Sequence, residues 1–419
     1  MTSVGCYYKK NCRICDSSAL DKVVELTPSP PGNNFLLEGQ LLSTKEEEFP
    51  LQLNFCNSCS HIQLGHVVDA GFLFQNGYSY VSATSTVFVN HLKDYADHIE
   101  KLFNLDQSSF IVDVGSNDGT CLKFFKEKGF KVLGVDPASE IAAVASRNGI
   151  ETIDDFFSSS LAKQIVNDYG KADVITSHNA CAHIDDLGGV ISGVADLLKD
   201  HGIFVMEVGY FVDVFANLWF DTIYHEHVDF HTVAPLVKLF EKYSMEMIRV
   251  ERISPQGGLI RVFAQKKGGL NAIHKSVAEL IKLETSLGLN MPETLKGFER
   301  EINRLRDKFK SLILKLKQEG KSIAAFGAPT KATTLCYHFG IGRNEIDFIV
   351  DDNPLKQGLL SPGKHIPVYS SLKIYEKKPD FLLILAWNFA ESIIRAHQRF
   401  SDEGGLFILP MPEPLILKP

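Results

Sequence analysis

"FIVDVGSNDGTCLKFFKEKG", residues 110–129, decides the fold. A strand-length apolar run, Phe110 to Val114, enters a loop bounded by Gly115 and Gly119, and a helical pattern follows. Such a unit opens a parallel α/β sheet. The alternation continues outward. "KVLGVDP" (131–137), "ADVITSHNA" (172–180), "GIFVMEVG" (202–209) and "LIRVFAQ" (259–265) read as further strands, and "VFVNHLKDYADHIEKLF" (87–103) as an amphipathic helix ahead of them. Residues 270–318 carry mostly helical signals, after which α/β alternation restarts with "SIAAFGAPTKATTLCYHFG" (322–340), "IDFIVDDNP" (346–354), "FLLILAW" (381–387) and "GGLFILP" (404–410). The expected architecture is α/β. A small turn-rich module (1–70) precedes a central Rossmann-like domain (71–268), a helical connector (269–318) and a second Rossmann-like domain (319–419).

At 419 residues the chain is long enough for two or three cores. Its 45% hydrophobic and 22% charged residues are the balance of an ordinary globular protein. A formal net charge of −8 argues against a nucleic-acid partner, which wants a basic surface to neutralise phosphates. No apolar run reaches the length of a membrane span, and the polar opening MTSVGCYYKKNC does not read as a signal peptide. The expectation is a cytoplasmic protein with no membrane partner. The oligomeric state is not legible, and a monomer is compatible with the sequence.

Eight cysteines in such a compartment do not read as disulfides. Four are paired as Cys12-x-x-Cys15 and Cys56-x-x-Cys59, bracketing a segment interrupted by Pro28, Pro30, Pro31 and Gly32. Two such knuckles place four thiolates to close a tetrahedron around zinc. Four sulfur ligands leave no open position, so the expected zinc is structural.

The loop Gly115-Ser116-Asn117-Asp118-Gly119 is not the G-x-G-x-x-G of a dinucleotide site. Its polar, acid-flanked residues suit a cofactor with an amino-acid tail and a sulfonium better than one with two phosphates. Asp136, twenty-one residues past Gly115, ends the second strand where ribose hydroxyls fall, and Asp154 and Asp155 are placed for an adenine amino group. S-adenosylmethionine fits all three. The second loop, Gly327-Ala328-Pro329-Thr330-Lys331, opens a helix and reads as an anion site, with Asp351 and Asp352 at the next strand end. One domain for a methyl donor and one for a phosphorylated ligand imply a nucleotide-linked acceptor.

"FDTIYHEHVDF" (220–230) packs Tyr224, His225, Glu226 and His227 together after the strand 202–209. On an extended backbone the two histidines would share a face, and Tyr224 and Glu226 the other. An H-x-H metal reading lacks a third ligand. A base beside a methyl donor suits carbon methylation, because a carbon nucleophile must first lose a proton.

The order of a four-cysteine module, "GSNDG", "DTIYHEH", a GG-containing "RVFA" strand and "FGAPTKATTL" resembles the nucleotide-sugar C-methyltransferases that make branched-chain deoxysugars, over essentially the whole chain. The resemblance implies a 4-keto group that acidifies C3–H of a dTDP-linked 6-deoxysugar. His227 would remove that proton, and the enolate would take the methyl group of S-adenosylmethionine. It assigns Tyr224 and Glu226 to the sugar and enolate, His183 of Asn179-Ala-Cys-Ala-His183 to the keto oxygen, and either Tyr78 or Tyr80 to the active site. It adds Asn179 to the cofactor residues. Gln256, Gly257, Gly258, Arg261, Gly327, Ala328, Lys331 and Asp352 would bind the nucleotide sugar, Lys331 at a phosphate. Two departures stand out: Gln256-Gly-Gly-Leu259 where the family often has His-Gly-Gly-Ser, and Asp113 for a common glutamate. The alternative is an O- or N-methyltransferase of a nucleotide sugar, which would need no carbon base.

Overall fold

The computed structural model describes residues 5–75, 80–84 and 86–418. Its centre is a seven-stranded sheet. Counting Phe110–Val114 as the first strand and Leu259–Lys266 as the seventh, the spatial order is 3-2-1-4-5-7-6. Strands one to five run parallel, and the seventh pairs antiparallel with both the fifth (Leu198–Gly209) and the sixth (Met245–Ile253). The chain reverses direction across the sheet between strands one and four, so the loops after Val114 and His178 diverge and leave a crevice. Gly115 and Asn179 stand at its two lips.

The carboxy-terminal sheet repeats the plan. Five parallel strands and an antiparallel sixth run in the order Val368–Tyr369, Ile349–Val350, Ile323–Phe326, Phe381–Ile384, Leu406–Leu409, Leu415–Leu417. Its reversal lies between Ile323–Phe326 and Phe381–Ile384. The two sheets are linked by helices Ser276–Ser286 and Pro292–Gln318. The second is long because Leu295, Phe298, Ile302, Leu305, Phe309, Ile313 and Leu316 form a continuous apolar stripe, buried along its whole length.

The amino-terminal module is a twisted antiparallel sheet that does not close on itself. Its order is Leu20–Ser29, Phe49–Cys56, Ile62–Leu64, and then Asp229–Phe230, a strand donated from beyond the YHEH block. The module therefore shares its core with the domain it precedes. It also reaches the carboxy-terminal domain, through Leu36–Leu360 backbone pairing, Gly363 N–H to Glu46 Oε1 at 2.8 Å, and a His365–Glu46 pair. No helix among the described residues is long and apolar enough to cross a membrane.

Candidate active site

Both sheet reversals open into one cavity of about 610 Å³. Gly115, Ser116, Asn117, Asp136 and Asn179 line one side, Thr330, Lys331 and Trp387 the other, and His183, Tyr224, Glu226 and His227 lie on the wall between them.

The YHEH block is a tight turn closed by His227 N–H to Tyr224 O at 2.9 Å, not an extended segment. That overturns the expectation that His225 and His227 share a face. His225 turns away and is 1% exposed, with Nε2 3.2 Å from Phe49 O of the amino-terminal module. His227 faces the cavity, its ring tilted against that of Tyr224 at 4.2 Å between centroids and against that of His183 at 4.9 Å. Its Nδ1 is 2.9 Å from Thr222 O. A carbonyl can only accept, so Nδ1 carries the hydrogen and the lone pair lies on Nε2, which receives the Tyr224 hydroxyl at 2.9 Å. Burial, then the neighbouring His183, holds His227 well below the usual histidine range, so it is neutral at physiological pH. His183 is fixed in the same way, with Nδ1 2.8 Å from Glu226 O, and burial lowers it to about 4.

Glu226 is buried and accepts from Asn33 Nδ2 at 2.8 Å; Asn33 Oδ1 in turn accepts from Thr330 Oγ1 at 2.8 Å. One asparagine thus ties together all three parts of the chain at the cavity. Gly32 permits this approach: a Cβ there would lie 2.2 Å from Thr330 O. The wall is supported from behind by Arg13, which lies between Cys12 and Cys15. Its Nε is 2.9 Å from Asp185 Oδ1 and 4.0 Å from Asp229 Oδ1, and His61 Nε2 meets Asp229 Oδ1 at 2.7 Å.

The other expected residues divide between the cavity and its surroundings. Asn117 accepts from Ser82 N–H and donates to Tyr80 O, and Asp118 accepts from Ala83 N–H and caps Thr120, so both side chains tie segment 80–84 to the loop. Gly119 packs on Ile150. Asp154 is exposed and accepts from Ser139, and it is Phe156 that lines the cavity. Arg261 is not among the residues lining the cavity: it is buried against Glu207, Nε to Oε1 2.6 Å, between two antiparallel strands. Gly258 lines the cavity and Gly257 packs on Trp219, both at positive φ. Gln256 lies in a short 3-10 turn, Pro255–Gly257. Gly327 and Ala328 form the carboxy-terminal loop itself, where Ala328 N–H meets Asp351 Oδ2 at 2.6 Å; Asp352 is exposed. Tyr80 lines the cavity, and Tyr78 lies outside the described residues.

Comparison with known proteins now bears on this geometry. Three family models match in succession: a zinc binding domain (12–74), a methyltransferase domain (88–250) and a C-methyltransferase C-terminal domain (254–412). The C-methyltransferase NovU of Streptomyces niveus is 34% identical over 97% of this chain and 96% of its own. The chain belongs to the C-methyltransferase family. It is an S-adenosylmethionine-dependent enzyme with a zinc-binding module. A solved S-adenosylmethionine-dependent methyltransferase from Clostridium acetobutylicum is 14% identical, with a TM-score of 0.35 over 43% of this chain and 92% of that one.

The residues of this methyltransferase fit both groups. Cys12 and Cys59 sulfurs are 3.5 Å apart, Cys15 and Cys56 3.6 Å, and all four lie within 4.8 Å of one another. A tetrahedron with Zn–S of about 2.3 Å requires sulfurs about 3.8 Å apart. On the cofactor side, Asp136 uses one carboxylate oxygen on Asn117 N–H (2.8 Å) and the other on Ala138 N–H (2.9 Å), which aims its remaining lone pairs into the cavity for a ribose diol. Ser116 Oγ is buried there and has no hydrogen-bond partner among the described residues. At Gly115, φ is +74° and a Cβ would meet Ala180 Cβ at 2.4 Å, so the loop holds its close approach only with glycine.

Asn33, Asp185, Trp219, Asp221 and Trp387 were not singled out from sequence. The signal for the tryptophans was rarity, since the chain has only two; they stack on each other, 4.6 Å between centroids, on the cavity wall.

Proposed function

We propose that this methyltransferase adds a methyl group to C3 of a dTDP-linked 4-keto-6-deoxysugar, with His227 as the base. The observation that carries this reading is the tautomer of His227: the Thr222 carbonyl holds the hydrogen on Nδ1 and leaves the lone pair on Nε2, where the C3–H of bound sugar would take the place of the Tyr224 hydroxyl. His227 Nε2 takes the C3 proton, and the C–H electron pair moves into a C3–C4 double bond, leaving the charge on the C4 oxygen. Bound S-adenosylmethionine supplies an electrophilic methyl group to this carbon nucleophile. Tyr224 orients the base, and His183 and Glu226 hold the sugar. The two sheet reversals facing one cavity support a substrate whose nucleotide and sugar engage different domains.

The test is mass spectrometry of the enzyme with S-adenosylmethionine and a panel of dTDP-4-keto-6-deoxysugars in deuterated water. A product one methyl group heavier, with deuterium entering C3 of unreacted substrate, is expected. Methylation without exchange would point to an oxygen or nitrogen acceptor and overturn the reading.

A pH dependence follows from Glu226. Burial pushes its carboxyl up to about 7, against the opposing hydrogen bond from Asn33 and the charge of Lys356. A raised acid keeps its proton to higher pH, so below about 7 Glu226 donates a hydrogen bond to a sugar oxygen and above it does not. The KM for the sugar nucleotide is therefore expected to rise as pH increases through 7. Glu226→Gln, which donates at every pH, levels that profile; an unchanged slope in the variant would assign the titration elsewhere.

A further inference from the structure

Lys331 comes from the carboxy-terminal domain, but its ammonium enters the shared cavity instead of a nucleotide pocket of its own. Nζ lies 3.4 Å over the Trp387 ring and 3.0 Å from Asn388 Oδ1, and among the described residues it makes no salt bridge. It is also the one lysine or arginine among the described cavity-lining residues.

A rigid frame joins this cation to the base. Trp387 stacks on Trp219 and donates from Nε1 to Asp221 Oδ2 at 2.7 Å. Asp221 lies in the 3-10 turn Phe220–Thr222, whose last carbonyl holds His227 Nδ1. The Asp221 carboxyl is fully buried; burial raises it, and the charge of Lys331, then the Trp387 N–H, act against that shift. Burial lowers Lys331 to about 8, and Asp221 opposes the shift. The cation is retained at neutral pH.

We propose that Lys331 is a catalytic residue that holds the C4 oxygen of the substrate as it becomes an enolate. This rests on the C-methylation reading above. A diphosphate carries at least two charges, and sites for it recruit several cations. The helix Ala332–Phe339 that begins at Lys331 adds its N-terminal dipole, but Lys331 is the one cation among the described cavity-lining residues. A single ammonium in a wall of tryptophan, phenylalanine and histidine matches one charge that appears only during reaction. The balance is simple. The C3 proton passes to His227 Nε2, one Lys331 N–H donates a hydrogen bond to the C4 oxygen without losing its proton, and the C4 carbonyl reforms as the new C–C bond is made.

The test compares Lys331→Gln and Lys331→Arg in the full-length enzyme with the dTDP-4-keto-6-deoxysugar that the wild type turns over. Removing one such donor is expected to lower C3 deuterium exchange and kcat about 10²–10³-fold. The affinity for dTDP alone, read from tryptophan fluorescence, should change less than twofold. Lys331→Arg keeps the charge and should retain at least about a tenth of the exchange; with thermal midpoints measured for both, the ratio between variants reads charge and not folding. A Lys331→Gln variant that exchanges normally at saturation but binds dTDP about tenfold more weakly would assign Lys331 to the diphosphate and overturn the proposal. Equal exchange in wild type and both variants would also overturn it. No exchange by the wild type would instead sink the enolate chemistry itself.

Discussion

Replacing His227 by asparagine is expected to lower C-methylation about 10²–10⁴-fold, the range that a positioned general base contributes, while S-adenosylmethionine binding stays intact. The reason is positional. His227 is held by Thr222 and Tyr224 on the wall between the two loops, whereas Asp136 is tied to the loop after Gly115 through Asn117 N–H. Asparagine can still donate to the Thr222 carbonyl, so the turn keeps its tie, but it offers no lone pair of comparable basicity. Deuterium exchange at C3 should vanish together with methylation. Tyr224→Phe should cost less, since it removes an orienting hydroxyl and leaves the base. An Asn variant that still exchanges C3 deuterium at the wild-type rate would show that another group takes the proton, and His183, 4.9 Å away ring to ring, would be the first to examine.

Removing zinc is expected to abolish activity by a different route. Four thiolates held together without a metal repel one another, and structural zinc contributes on the order of 10–16 kcal/mol to folding in small zinc domains. The amino-terminal sheet is not self-sufficient: Ile62–Leu64 is short, and the fourth strand, Asp229–Phe230, is borrowed from the next domain. Its loss would propagate directly to the site. Arg13, 0% exposed at its side chain, would leave Asp185 and Asp229 as uncompensated acids, and Asn33 would no longer bridge Glu226 to Thr330. Breaking a buried ion pair by removing one partner costs about 3–5 kcal/mol. Cys56→Ser, or chelation, should therefore release zinc, strip amide-exchange protection from Leu53 and Ile62, and eliminate methylation. A zinc-free protein with full protection at those amides and full activity would make the module an appendage.

Much of this was legible before any coordinates. The cysteine pairs, the glycine loop after Phe110–Val114 and Asp136 are local patterns: spacing along the chain sets which groups meet, and the structure brings those groups together. The two Rossmann-like halves were legible for the same reason, because strand–loop–helix alternation is a short-range signal. The partners of polar side chains were less legible. Asn117 and Asp118 satisfy the backbone of segment 80–84, and Arg261 satisfies Glu207. A sequence shows that a polar side chain exists but not which buried donor or acceptor it must pair with.

The choice between His225 and His227 illustrates the boundary. Both are two residues from each other in the same motif, yet one packs on Phe49 and the other faces the cavity, because a turn closed from Tyr224 rotates their side chains apart. That turn is held by contacts from Thr222, the amino-terminal sheet and the carboxy-terminal domain. Asn33 of the amino-terminal module, Trp219 of the central domain and Lys331 and Trp387 of the carboxy-terminal domain converge on the cavity. Chemistry-bearing residue types and the periodicity of the strands are written along the chain. Which of those residues share a cavity is decided only when three modules bury their faces against one another, since burial is a property of the whole fold and not of any local stretch.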